Sequence, residues 1–261
     1  MFFALVKQAI LENDPQQKIS LLNDLHAKFS ADELSLSSQH CVDLIPIPGR
    51  PQRPELVHPS QVAKRRLSSE QGRVALIHAV CHIEFNAINL ALDAAYRFQN
   101  MPIDYYRDWL RVASEEAKHF SLLEARLLQL GSAYGELTAH NGLWEMAVKT
   151  QSSPVERMAL VPRVLEARGL DVTPGMIERL QAAGDLQTVQ ILNIILADEI
   201  GHVEIGTRWF KYACQQAGLD PQATFIKLLR QYDVGYSKGP LHVQARKQAG
   251  FSDAEMDALT S

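Results

Sequence analysis

Apolar residues recur at helical spacing over most of the chain, and no stretch alternates apolar and polar positions as a half-buried strand would. Residues about 2 to 29 keep this period with one break at Asn13-Asp14-Pro15, which predicts two short helices joined by a turn. From Ile45 to Pro59 the string IPIPGRPQRPELVHP carries five prolines and a glycine, so it is expected to run extended over the surface. Four long helical stretches follow: about Ser69 to Gln99, Asp104 to Leu130, Pro154 to Ala183 with interruptions, and Asp185 to Ala217. Turn signals separate them at Asn100-Met101-Pro102, between Gly131 and Ser153, and at Ala183-Gly184-Asp185. Beyond Pro221 the pattern predicts a helix near Ala223 to Tyr232, an irregular Gly-Pro segment, and a last short helix after Ser252.

The expected fold is all-α, a four-helix bundle of two antiparallel helical hairpins joined by a long crossover. Residues 1–68 are expected to form a helical and proline-rich arm wrapping the core, 69–217 the bundle, and 218–261 a C-terminal helical extension. A chain of 261 residues can bury one such core with its extensions.

The chemistry lies on the buried stripes of these helices. Glu116-Ala117-Lys118-His119 and Glu199-Ile200-Gly201-His202 are both Glu-x-x-His, which sets a carboxylate and an imidazole one turn apart on one helix face. Around Glu116 the same-face residues are Trp109, Val112, Ala113, His119 and Phe120; around Glu199 they are Leu192, Ile195, Leu196, His202 and Val203. Glu84 stands likewise among Ile77, Val80, Cys81, Ala87, Ile88 and Ala91. An ionised carboxylate in such a place needs a cation, a proton or a dense hydrogen-bond network, and these stripes carry no Lys or Arg.

Depth pairs the acids. The midpoint of Glu84 and Glu116 is residue 100, inside the Asn100 turn, and that of Glu166 and Glu199 falls between Ala182 and Ala183, beside the Gly184 turn. Two half-sites of Glu plus Glu-x-x-His result, with Glu156 as an alternative to Glu166, because Pro162, Gly169 and Pro174 interrupt that helix. Four glutamates balance two divalent ions, and the mixed oxygen and imidazole set suits iron first, then manganese or a mixed pair, rather than calcium or structural zinc. His78 and His82, four apart, form either a separate two-ligand grip or a pair of core histidines bonded to backbone. Gly201, between Glu199 and His202, either leaves room beside the metals or allows close helix packing.

Composition excludes other classes. With 46% hydrophobic and 21% charged residues the chain is neither a disordered nor a membrane class, and no membrane partner is expected. A net charge of -4 gives no broad attraction to nucleic acid; Lys64, Arg65 and Arg66, with Arg50, Arg53 and Arg73 nearby, are expected as a solvated junction. Cys41, Cys81 and Cys214 form no Cys-x-x-Cys pair, which argues against a disulfide framework or a sulfur-rich metal site. The start MFFALVKQAI lacks a basic n-region and its apolar run stops at Lys7, so a cytoplasmic protein is expected.

The two half-sites resemble those of the ferritin-like superfamily. The strings EEAKHF, LEARGLDVTP and ADEIGHVEIGTRWF, with the upstream PGRPQRPELVHP, resemble more narrowly a bacterial ferritin-like family labelled a domain of unknown function, over roughly residues 45 to 220. That resemblance implies a di-metal bundle distantly related to the di-iron tRNA hydroxylases, with Glu84, Glu116, His119, Glu166, Glu199 and His202 as metal ligands. Glu115 and Asp198 precede the motif glutamates, where related oxygenases often place an acid that accepts the far N–H of a ligating histidine. The function expected is a di-iron oxidoreductase or hydroxylase using O₂, an electron donor and an unknown substrate. Iron handling or peroxide removal is the alternative from a second class, and a helical interaction module that from a third.

The face assignment is testable directly. Glu116→Ala and Glu199→Ala should each disrupt metal binding far more than Glu115→Ala or Asp198→Ala, as read by elemental analysis of reconstituted protein. Equal loss from all four would mean that the inward face is misassigned.

Overall fold

A computed structural model of the protein describes residues 1–37, 42–62, 67–234 and 239–260; His40, Cys41, Lys64, Arg65 and Arg66 lie outside the described residues. The fold is all-α, with the four long helical stretches of a ferritin-like bundle in two hairpins. Strand pairing among the described residues is limited to one isolated bridge, Leu56 to Ala139. The chain divides into two compact units, Met1–Val148 and Lys149–Ser261.

In the first unit α1 (Phe2–Leu11) and α2 (Pro15–Ser30) pack on the hairpin of α3 (Glu70–Arg97) and α4 (Ile103–Gln129), and α5 (Gly142–Lys149) follows. Ser69 caps α3 by accepting from the Gly72 N–H at 3.1 Å, and Asp14 caps α2 from the Gln17 N–H at 2.9 Å. Length and hydropathy alone would let α3 cross a bilayer, but 72% of its apolar window is buried inside the protein. Its buried positions also include His78, His82, Glu84 and Asp93, as in a core helix with work to do. At the tip of the hairpin the Tyr105 and Tyr106 hydroxyls donate to the Ala94 and Phe98 carbonyls, both at 3.1 Å.

The proline-rich stretch is extended, and its backbone groups find partners outside any sheet. The Trp144 indole N–H donates to Pro46 O at 3.1 Å, and Glu55 and Val57 pair with both sides of Ala139. Gly49 crosses the end of α1 so closely that a Cβ would lie 2.2 Å from Glu12 O, so only glycine fits.

The second unit holds α6 (Pro154–Leu160), a π-helical turn (Val161–Glu166), α7 (Arg168–Ala182) and α8 (Leu186–Gln216), then α9 (Pro221–Tyr232), α10 (Val243–Gln248) and α11 (Asp253–Thr260). The third predicted helix thus survives its proline by widening rather than breaking. Pro162 has no N–H to give, and the Ala167 N–H closes on the Pro162 carbonyl five residues back at 3.0 Å. Residues 243–248, expected to be irregular, are helical. Six residues cannot sustain a helix alone, and here the His242 ring caps the Ala245 N–H at 3.0 Å while Arg246 pairs with Asp171 at 2.6 Å.

One buried cation ties the arm to the hairpin. Lys18 is fully buried, and its ammonium donates to Ala9 O (2.7 Å) and Ile10 O (2.9 Å) at the C-terminus of α1 and to Asn89 Oδ1 (2.8 Å) on α3. Burial pulls its pKa down to about 7, while three acceptors match the three protons of the charged form. Lys18→Met should therefore cost about 3 kcal/mol in denaturant unfolding, because it orphans helix-end carbonyls. The exposed control Lys227→Met should change nothing measurable; equal small effects would show that the contact is dispensable.

Candidate metal centre

In the first unit, α3 and α4 bring Glu84, Glu116 and His119 together, each buried, with one ligand atom from each lying within 4.8 Å of the others. The arrangement follows from the stripes: Ile77, Val80, Cys81, Ala87, Ile88 and Ala91 on α3 are all buried, as are Trp109, Val112, Ala113 and Phe120 on α4. His119 Nδ1 lies 3.2 Å from Glu84 Oε2 and 3.3 Å from Glu116 Oε2. Burial and the neighbouring Glu116 carboxylate push the Glu84 pKa well above its ordinary range. Burial alone would depress the His119 pKa, yet its hydrogen bonds to the Glu116 and Glu84 carboxylates raise it to about 11. The pair of acids thus favours positive charge beside it.

In the second unit, Glu199 and His202 sit one turn apart on α8, with His202 Nδ1 at 3.8 Å from Glu199 Oε1, beyond hydrogen-bond range. His202 is buried at 1% side-chain exposure, whereas Glu199 retains 12%. Glu199 Oε2 is itself buried, so both acids of the motifs present carboxylate oxygens to the interior. Glu166 ends the π-turn, half-buried. Glu156, the alternative, lies in the first turn of α6, where its Oε2 accepts from the Tyr232 hydroxyl at 2.8 Å.

Glycine positions on α8 test the two readings of Gly201. Among the described residues nothing lies within 4 Å of where a Gly201 Cβ would stand, so close packing does not explain it; position 201 faces away from the Glu199 and His202 stripe, so the glycine does not open room beside them either. Close packing occurs instead at Gly206, one turn past His202, where a Cβ would lie 2.5 Å from Pro162 Cβ. Sequence reasoning passed over Gly206. A small residue on the ligand stripe one turn beyond the motif was the available signal.

The remaining polar groups of α3 have structural partners. His78 Nε2 accepts from the Gly135 N–H at 2.9 Å, while His82 Nδ1 meets the Tyr134 hydroxyl at 2.9 Å and its Nε2 faces the His140 carbonyl at 3.2 Å. Both rings therefore hold the loop that follows α4, and burial lowers the His82 pKa to about 4. Cys81 lies 3.9 Å from Phe120 O, and burial pushes its thiol up, as for an inert filler. Trp109, on the Glu116 stripe, keeps a buried indole N–H with no acceptor among the described residues.

Residues 11–257 match the model of a family described as "Protein of unknown function (DUF455)". A relative in Haemophilus influenzae (strain ATCC 51907 / DSM 11121 / KW20 / Rd), described as an uncharacterized protein, is 44% identical over 266 residues, covering 98% of this chain and 92% of the relative. No solved structure matches the chain.

The buried acids have a signature in stability. Glu84 keeps its proton to a higher pH when folded than the ordinary 4.5, so the folded state binds more protons in that window and chelator-treated protein should lose stability as pH rises through it. Glu84→Gln should remove that slope, raise the melting temperature at neutral pH and weaken metal uptake. A variant that melts lower at neutral pH would show that the carboxylate stabilises the fold instead.

Proposed function

The chain belongs to the DUF455 family, and from that membership and the buried carboxylate groups we propose that it is a non-heme di-iron oxidoreductase, of oxidase or hydroxylase type. Glu84, Glu116 and His119 form one half of the ligand set, and Glu166, Glu199 and His202 the other. The observation that carries this reading is the Glu84, Glu116 and His119 group. Two acids and an imidazole converge in an apolar core, and the fold accepts the desolvation of both acids. The donor set fits the metal: four carboxylates balance two divalent ions, and oxygen with imidazole donors suits iron, with manganese or a mixed pair next.

Bound iron would supply the electrons that reduce O₂. The residues themselves do the rest. Ile77, Val80 and Ala113 keep water from the first acids, and Glu199 Oε2 is likewise buried, so the carboxylates are held for a cation rather than for solvent. The motif likeness to di-iron tRNA hydroxylases makes a nucleobase or a small molecule the substrate class we favour, supplied with electrons by a separate donor in the cytoplasm.

After anaerobic reconstitution the protein should hold about two iron ions per chain, consume O₂ in proportion to that pair, and then stop until a donor is added. Iron retained after desalting, measured against aerobic ferrous addition, checks this. Retention of many tens of ions per chain would replace the oxidoreductase with iron storage.

A further inference from the structure

The π-turn that ends on Glu166 is held at both ends by buried guanidinium groups. Arg163, inside the turn, is fully buried, with Nη2 donating to Glu255 Oε1 at 2.8 Å and Nε to Thr207 Oγ1 at 3.1 Å. Its Cζ lies 4.8, 4.2 and 4.5 Å from the ring centroids of Phe210, Phe225 and Phe251, so three phenyl rings cage the charge. Arg246, on α10, grips Asp171 through Nε at 2.9 Å and Nη2 at 2.6 Å, and the same Nη2 reaches Ala167 O at 3.2 Å. Ala167 is the residue after Glu166. The clamp therefore closes three residues before this acid and one residue after it.

One further contact ties the turn to the Glu199 and His202 stripe. Pro162 is seated against Gly206, which lies on the same face of α8 as Glu199 and His202. Four residues forward from Pro162 and four back from Gly206, along neighbours running in opposite directions, bring Glu166 level with His202. Glu255 is itself fixed, because its Oε2 accepts from the Ser252 N–H at 2.9 Å while its own N–H donates to Ser252 Oγ at 3.2 Å, a reciprocal cap at the start of α11.

This clamp is not the cheapest way to attach two short helices. Arg163 Nη1 and Arg246 Nη1 are buried with no acceptor among the described residues, and each such group carries an uncompensated desolvation penalty. Apolar side chains would fill the same volume without that cost. They would not fix direction at hydrogen-bond precision, which is what a turn wound one residue wide needs if its last side chain is to point one way.

We propose that Arg163 and Arg246, through Glu255 and Asp171, are positioning residues that hold the π-turn so that Glu166 presents its carboxylate to the metal beside Glu199 and His202. This rests on the reading of Glu166 as a ligand. The C-terminal helices α10 and α11 then serve the metal site without touching it.

The test titrates the full chain with Co(II), whose visible bands report each equivalent bound, in wild type, Glu166→Gln, Glu255→Gln and the double variant. Glu255→Gln should leave the first equivalent unchanged and weaken the second by roughly 10- to 100-fold, as removal of a ligand's support does. Glu166→Gln should weaken the same equivalent, and the double variant should be no worse than Glu166→Gln alone, since the clamp acts only through that acid. Losses that multiply in the double variant would overturn the proposal, as would wild-type affinity in either single variant. Asp171→Asn, which loosens the other end, carries the same expectations and replaces Glu255→Gln if that variant no longer melts cooperatively. Wild type taking up fewer than two equivalents would sink the site and the clamp together, whereas two equally tight equivalents in wild type and Glu255→Gln sink the clamp alone.

Discussion

A carboxylate taken out of water inside a helical core must be answered by positive charge, and much of this structure follows from that requirement. Glu84 and Glu116 are enclosed by Ile77, Val80, Cys81, Val112 and Ala113, and His119 lies against both. Nothing about a helical hairpin needs two acids at its centre; leucines there would pack better and leave no desolvation penalty. The acids make sense as candidate ligands for a cation, since one ligand atom from each of Glu84, Glu116 and His119 lies within 4.8 Å of the others. They also account for why α3 is so apolar elsewhere: a helix that buries Glu84, His78, His82 and Asp93 offsets them with Ile77, Phe85, Ile88, Leu90 and Leu92.

Much of this could be read before any coordinates. The Glu-x-x-His spacing puts Glu116 and His119 on one face whatever the tertiary context, and Glu84 declared itself by being the acid in an otherwise apolar stripe. Helix ends fell near their caps for the same local reasons, as at Ser69, Asp14 and Asp185. What could not be read depended on residues far apart. A proline within a helical window can kink, end or widen the helix, and here the outcome goes with Gly206 on another helix, which gives Pro162 a seat. Lys18 reads as a solvated residue near a helix start until α3 supplies Asn89. The two histidines of α3 gave a metal-like spacing, but the loop that takes up their ring nitrogens, Tyr134 to His140, carries no pattern that pairs it with them.

The two Glu-x-x-His motifs differ in what surrounds them. His119 Nδ1 lies 3.2 Å from Glu84 and 3.3 Å from Glu116, whereas His202 Nδ1 stands 3.8 Å from Glu199, beyond hydrogen-bond range. Near-symmetry in the sequence thus does not carry over to the side-chain geometry. The aromatic cage around Arg163 adds rigidity where the helix is irregular and an acid on an irregular turn has the most directions to choose from.

Lys18 has a consequence for how the protein is made. Its ammonium closes the end of α1, but its third acceptor, Asn89, stands 71 residues further along the chain. A chain leaving the ribosome at about 5–20 residues per second exposes α1 and α2 for several seconds before that acceptor exists. During that interval the charge stays in water, and Phe2, Phe3, Leu22 and Leu25 have no hairpin to cover them. α1 and α2 are therefore made before the hairpin that covers them, and nascent chains halted before residue 89 would leave those side chains bare to a chaperone.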